Sequence, residues 1–491
     1  MTRHVPPRRW MALTGLLAAS AWLAGGLSPG LAQEPGRASQ GTQAAQAAQA
    51  RAPEKARQGP PHEPAPFLAK PRVSVVTGRP GDGCVTWTAL SHDRDRTVRL
   101  RLADGAGQRW QEDAVTLVQG EPRSLTRCGL QAAGWQHQWL DEDGAVLSSG
   151  QGVMPRPAGQ SFRFTLTADS HLDQNTSPAQ YERVLARIRD ERPDLHIDLG
   201  DTFMVDKHAS REAAAAQYRQ QHHYFGQLGV PVFLVQGNHD GEDQKLRRQG
   251  EGNLADWAHA MRVRHFPSPS LDMSGQTYRQ PQDPDAPPGG LQSRYAFQWG
   301  DALFVVLEPY WSGQKGRAAE RWQLTLGTAQ QAWLRQTLES SSAKHKFIFI
   351  HQLAGGIDRH GRGGVEGVPF GEWGGQDADG QPGFAQRRPG WPEPIHALLV
   401  RTGVTAVFHG HDHLYASQML DGVAYVEVPQ PAHPGGDRRD PGAEYGYRQG
   451  TVMGASGHLR VSVEPGRVVA ELIDGTSPQP QVLHRSEWRR P

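Results

Sequence analysis

The chain has 491 residues, with 52 Lys and Arg against 51 Asp and Glu, 57 Gly and 37 Pro. That length holds two or three domains and at least one large core. Balanced charge with no dominant basic field excludes a general nucleic-acid binder, duplex binders included. The Gly and Pro content predicts many loops and turns.

The first residues read as an export signal over 1–32. Arg3, Arg8 and Arg9 form a positive start, Met11 to Leu27 is mostly apolar, and Gly30-Leu31-Ala32 precedes a cleavage point before Gln33. Arg8-Arg9 followed by Trp10-Met11 resembles a twin-arginine signal. A general secretory signal with two adjacent arginines is the alternative. A retained membrane anchor is a lesser one, because the apolar run is short for a span of roughly 20 residues. No later stretch could cross a bilayer. The expectation is a bacterial periplasmic or secreted protein, passed through export machinery of the twin-arginine kind, with no transmembrane segment once the signal is removed. Residues 33–67 are rich in Ala, Gln, Pro and Arg, with few large apolar side chains. Such a segment buries too little surface to offset chain entropy and reads as a disordered linker.

Residues 71–155 change character. Val73 to Val76, Cys84 to Thr88, Thr97 to Leu102, Ala114 to Val118 and Trp135 to Leu140 are short apolar runs, several alternating at period two and all punctuated by Gly, Pro and Asp. This spacing predicts a small all-β sandwich of the fibronectin III or immunoglobulin kind. Trp87, Trp135 and Trp139 read as core residues, with a sugar-binding face as the alternative. The only cysteines, Cys84 and Cys128, both fall in this region. In an exported protein they are candidates for one disulfide; two buried free thiols are the alternative.

Residues 160–475 alternate strands with helices, and 476–491 read as a C-terminal tail. Phe162 to Thr167 is a strand, and a helix follows from Ser177 as cap and Pro178 at the first turn. Strands at Leu195 to Leu199 and Pro231 to Val235 flank an Ala-rich helix from about Ser210 to Leu228. Tyr295 to Trp299 and Leu303 to Leu307 form a hairpin. Thr328 to Ser340 is a helix, with Thr328 and Gln331 as a capping box. Phe347 to Ile350 and Val404 to Phe408 are buried strands, and three more close the domain. Two long connections, Pro267 to Gly290 and Ala354 to Pro394, interrupt the pattern. The second starts directly after His351 and is expected to shape a pocket in part, with a plain surface insertion as the alternative.

Five polar clusters sit just after these strands: Asp169-Ser170-His171, Gly200-Asp201, Gly237-Asn238-His239-Asp240, His351 and Gly410-His411-Asp412-His413. Ligands gather at the carboxyl ends of strands in α/β sheets. Asp169 and His171, two positions apart, can aim at one ion. Asp201 has two oxygens and can bridge two. Asn238 offers a neutral amide oxygen. His351, His411 and His413 supply imidazoles, which suit Fe, Mn or Zn better than Mg or Ca. Seven side chains thus surround two divalent or transition-metal ions. Between such ions, about 3.5–4 Å apart, water loses a proton near neutral pH and becomes a nucleophile. His239 can give a proton to a departing oxygen.

The set resembles the motifs of the calcineurin-like metallophosphoesterases over about Phe162 to Ile473. The resemblance implies a four-layer α/β/β/α domain with two metals at one edge. It places Asp169, His171 and His413 on one metal, Asp201 as the bridge, Asn238, His351 and His411 on the second, and His239 as the catalytic histidine. The preceding sandwich is similar in arrangement to purple acid phosphatases and their bacterial relatives. Those carry a Tyr ligand where this chain has Met204 and lack a His at the position of His171, so no tyrosinate-to-iron colour is expected. Asp-Ser-His and Gly-Asn-His-Asp look more like the branch with class III cyclic-nucleotide phosphodiesterases.

The expectation is an exported phosphoesterase acting on small phosphate monoesters or diesters through a hydroxide held by two metals. A nucleotide- or cyclic-nucleotide-selective phosphodiesterase is the alternative, and a non-catalytic binding protein on the same fold a remote one. Among the other residues of the 22-histidine complement, His409 is a lesser ligand candidate. Asp240 reads as a loop brace and Asp412 as pointing away from the ions. His433, Tyr445, Arg359 and Arg362 are candidates for substrate contact.

Overall fold

A computed structural model of the chain describes residues 71–78, 83–104, 110–130, 134–152, 155–247, 252–266, 286, 290–313, 322–353, 364–434 and 445–489. The signal and linker regions, most of Pro267 to Gly290, and Arg359 and Arg362 lie outside them.

Among the described residues seven strands come first: β1 (Val73–Gly78), β2 (Cys84–Ser91), β3 (Arg96–Asp104), β4 (Trp110–Leu117), β5 (Arg123–Cys128), β6 (Trp135–Leu140) and β7 (Val146–Gly152). They form antiparallel sheets of order β1-β2-β5 and β4-β3-β6-β7. Trp87, Trp135 and Trp139 are buried between them with Val98, Leu100 and Leu117, which makes them core residues. Cys84 and Cys128 stand opposite each other on β2 and β5 and are joined by a disulfide closing 44 residues of chain. A loop of that length predicts a loss of about 4 kcal/mol on reduction. Urea unfolding with and without a reductant measures it.

The sandwich packs on the next domain through β1. Val76 joins the apolar cluster beneath the helices of that domain, Ser74 Oγ lies 2.6 Å from His222 Nδ1, and Thr77 bridges Pro231.

The second domain has β8 (Phe162–Thr167), β9 (Leu195–Asp198), β10 (Val232–Leu234), β11 (Tyr295–Trp299), β12 (Ala302–Val306), β13 (His345–Phe349), β14 (Ala406–His409), β15 (Tyr415–Leu420), β16 (Val423–Glu427), β17 (Thr451–Met453), β18 (Gly457–Glu464), β19 (Arg467–Asp474) and β20 (Val482–Arg489). One sheet has the order β10-β9-β8-β18-β19-β20, the other β11-β12-β13-β14-β16-β15-β17. Period-two alternation decides which layer each side chain enters. Phe304, Val306, Phe347, Phe349 and Phe408 point between the sheets, where they meet Phe162, Phe164 and Leu166. Their neighbours Leu303, Val305, Ile348, Ile350 and Val407 point outward under the helices Gly327–Ser340 and Ile395–Arg401. On the far side, Pro178–Asp190, Arg211–Gly226 and Leu254–His265 cover the six-stranded sheet. The result is the four-layer α/β/β/α arrangement. Among the described residues no helix is long and apolar enough to cross a membrane.

Two local expectations need correction. Val482–Arg489 is not a loose tail: it pairs along β19 and completes the six-stranded sheet. The helix at Gly327 has no Thr328–Gln331 box; its first turn is held instead by Glu372, which accepts from Leu326 N at 3.0 Å, and by Thr325 Oγ1, which accepts from Gly327 N at 2.9 Å. The described part of the connection after His351 builds core, with Trp373, Val365 and Trp391 buried under the seven-stranded sheet. Residues 354–363, nearest His351, lie outside the described residues.

Candidate metal centre

β8, β9 and β10 run parallel in one sheet, and β13 and β14 run parallel in the other. Their carboxyl ends deliver the five clusters to one edge of the domain. The turns that do this are tight. Asp169, His171, Asp201, His411 and His413 all have left-handed backbone, five of the nine non-glycine residues so described. Such conformations cost about 1–3 kcal/mol each and persist where the surroundings impose them. The Gly200 and Gly237 loops touch backbone to backbone: a Cβ on Gly237 would lie 2.1 Å from Asp201 N. Asp240 locks that junction, accepting from Asp201 N, Thr202 N, Phe203 N and Gly237 N at 2.7–3.1 Å. It braces the loop, as expected from sequence.

Two donor groups result. Asp169, His171 and His413 offer atoms all within 4.8 Å of one another, as do Asp201, His351 and His411. Asp169 Oδ2 is anchored by His411 N at 2.9 Å, while its buried Oδ1 has no hydrogen-bond partner. His413 Nε2 lies 3.4 Å from that Oδ1 and His171 Nε2 3.8 Å from it. The His171 Nε2 is likewise buried and unpartnered. Asp201 spans the groups. Its Oδ1 accepts from His239 N at 2.8 Å, and its Oδ2 lies 3.4 Å from His351 Nε2 and 3.8 Å from His171 Nε2. His351 donates from Nδ1 to Leu199 O at 2.9 Å, which turns Nε2 inward, 3.2 Å from Asn238 Oδ1. His411 stacks edge-on to His351 with centroids 5.2 Å apart. The structure therefore brings together all seven residues singled out as ligands.

The electrostatics fit cations. Burial works to raise the Asp169 and Asp201 carboxyls, but neighbouring imidazoles outweigh it and hold both well below the usual carboxylate range. Burial would lower His171 and His351, yet the carboxylates around them hold the rings up at about 10 and about 9. The carboxylates thus favour positive charge beside them, although at His413 burial outweighs Asp169 and lowers the ring. Buried oxygen and nitrogen donors left unpartnered, in a mixed carboxylate, imidazole and amide set, suit two transition-metal ions.

Other residues sort clearly. His409 pairs with Glu427, its register partner at the end of neighbouring β16, and is not among the converging donors. Asp412 turns away and accepts from Tyr447 OH at 2.8 Å. Tyr445 packs on Leu414, Ala416 and Tyr447. His433 comes near, with its ring 6.0 Å from that of His171. Sequence reasoning missed two carboxylates. Asp173 Oδ2 lies 3.7 Å from His171 Nδ1 and its Oδ1 3.5 Å from His433 Nε2. Asp206 Oδ1 lies 2.9 Å from His239 Nδ1. Asp173 follows His171 by two residues, a signal available in the sequence. Asp206 is placed only by the short turn Val205–Lys207 after left-handed Met204.

Solved structures share this fold. PhoD superposes with a TM-score of 0.59 at 14% identity, covering 86% of this chain and 90% of that one. A purple acid phosphatase from yellow lupin (Lupinus luteus) seeds gives 0.55 at 14%, covering 87% and 75%. No curated protein matches the chain. Residues 162–415, more than half of the sequence, match the calcineurin-like phosphoesterase family, and the chain belongs to that family.

Proposed function

We propose that this protein is an exported, metal-dependent hydrolase of small phosphate monoesters or diesters. In this reading Asp169, His171 and His413 hold one ion, Asn238, His351 and His411 hold the second, and Asp201 is shared. The supporting observation is the position of Asp201, whose Oδ2 faces a histidine of each group at 3.4 and 3.8 Å. Two cations held by these residues would supply Lewis acidity toward water and the phosphoryl group. The chain's own residues do the rest. Leu199 O fixes the His351 tautomer, Asp240 holds the Asp201 turn, and His239 hands a proton to the departing oxygen. His239 suits that role because Asp206 occupies its Nδ1 and its side chain is 24% exposed, so Nε2 can meet substrate. Export to the periplasm or beyond rests on the arginine-led, apolar N-terminus and agrees with a disulfide in the sandwich.

The test is metal analysis of protein exported by its native signal, coupled to steady-state assays on paired aryl monoesters and diesters. About two transition-metal ions per chain are expected, with turnover on at least one ester class that a chelator removes and Mn, Fe or Zn restores. Inactivity on both classes with both ions bound would end this reading.

A further inference from the structure

Tyr310, from the end of β12, also reaches this edge of the sheet. β12 and β13 run parallel, with Val306 opposite Phe349. His351 lies two residues past Phe349. Tyr310 lies four residues past Val306, on the same carboxyl end. The turn carrying it is fixed from both sides. The Glu308 carboxylate accepts from Tyr310 N and from Trp311 N. Gln330 clamps Glu308, accepting from its N at 3.0 Å and donating to its O at 2.7 Å. Tyr310 O in turn accepts from Gly313 N at 3.1 Å and Gln244 N at 3.3 Å.

This rigid turn sets the Tyr310 ring 6.4 Å, centre to centre, from the His351 ring. Tyr310 is 6% exposed, and its hydroxyl is buried with no hydrogen-bond partner. The charges that bear on that hydroxyl are Asp201, Glu308, Asp169 and Asp240, three of them in the metal centre or its brace. An unpartnered buried hydroxyl is unfavourable, so fixed placement of one beside a functional centre implies a partner that arrives from outside. A phenol is a donor at neutral pH. The acceptor must therefore be electron-rich, small enough to enter, and drawn to the same place as the ions. A phosphoryl oxygen meets all three conditions.

We propose that Tyr310 is a catalytic residue that donates a hydrogen bond from its hydroxyl to a phosphoryl oxygen of the bound ester, on the His351 side of the centre. The proposal rests on the phosphoesterase reading. It assigns to the end of β12 a role in holding the anionic group while charge develops on its oxygens.

The experiment uses the full-length, metal-loaded protein with Tyr310→Phe and inorganic phosphate as probe. Calorimetric titration should show phosphate binding weakened roughly 10- to 100-fold, with kcat/KM on an aryl phosphate lowered at least as much. Metal content should stay at the wild-type level. The thermal midpoint without phosphate should hold or rise, because the oxygen removed has no partner in the free protein. A merely structural hydroxyl would lower it instead. Unchanged phosphate affinity and unchanged kcat/KM would overturn the proposal. So would loss of a metal ion, or a visible band in the Fe(III)-loaded wild type that the variant lacks, since either puts the phenolate on the metal. Wild-type protein that bound phosphate but hydrolysed no ester would leave the Tyr310 contact standing and sink the hydrolase reading. Wild-type protein that bound no phosphate would sink both.

Discussion

Asp201→Asn is expected to lower kcat/KM by at least about 10³-fold and to release one or both metal ions. Asparagine is nearly isosteric and keeps an oxygen where Oδ1 now accepts from His239 N at 2.8 Å. The backbone of the junction is also held independently, through the four N–H groups on Asp240. The substitution therefore leaves the loop in place and removes one negative charge and one strong donor oxygen. That oxygen is the one facing both His351 and His171. Removing a shared donor affects two ions together, whereas removing His413, which belongs to one group, should affect one. Metal counts on Asp201→Asn and His413→Ala, measured beside turnover, separate these cases. Two ions retained in Asp201→Asn with turnover near wild type would show that Asp201 bridges nothing.

Much of this centre was legible because the fold ties it to strands. A strand buried on both sides cannot slip by one residue without exchanging its two faces. The runs Phe347 to Ile350 and Val404 to Phe408 therefore read as strands, and the residues just beyond them fell at the edge. Paired short motifs such as Asp169 with His171 and His411 with His413 then needed no long-range information. What could not be read depends on partners distant in sequence. Val482–Arg489 buries little beyond Trp488, so its composition resembles a tail, yet the exposed edge of β19 supplies its hydrogen bonds. The first turn of the helix at Gly327 is held by Glu372, 46 residues from Leu326, and a local Thr328–Gln331 pattern could not reveal it. His409 and His411 look alike in sequence. Only the placement of Glu427 on the neighbouring strand shows that His409 is engaged in the sheet.

His239→Ala is expected to reduce kcat/KM by about 10²- to 10⁴-fold on esters with poor leaving groups, and much less on an activated aryl ester. The asymmetry follows from what the ring is placed to do. Asp206 sits at Nδ1, which fixes the tautomer and leaves Nε2 as the working nitrogen. Lys245 Nζ lies 3.8 Å from the other Asp206 oxygen but is exposed and nearer Asp243, at 3.4 Å, so it adds little to the Asp206–His239 pair. A poor leaving group must take a proton as its bond to phosphorus breaks, whereas a stabilised phenolate departs without one. Loss of the proton donor therefore steepens the dependence of rate on leaving-group acidity, and that slope across a series of aryl and alkyl phosphates is the measurement. Metal content should not change, since the His239 side chain is not one of the converging donors. Asp206→Ala should give the same steepening in weaker form, because the ring remains but loses its orientation. A uniform loss across the series, or a loss of metal, would mean that His239 supports the centre without handling the proton.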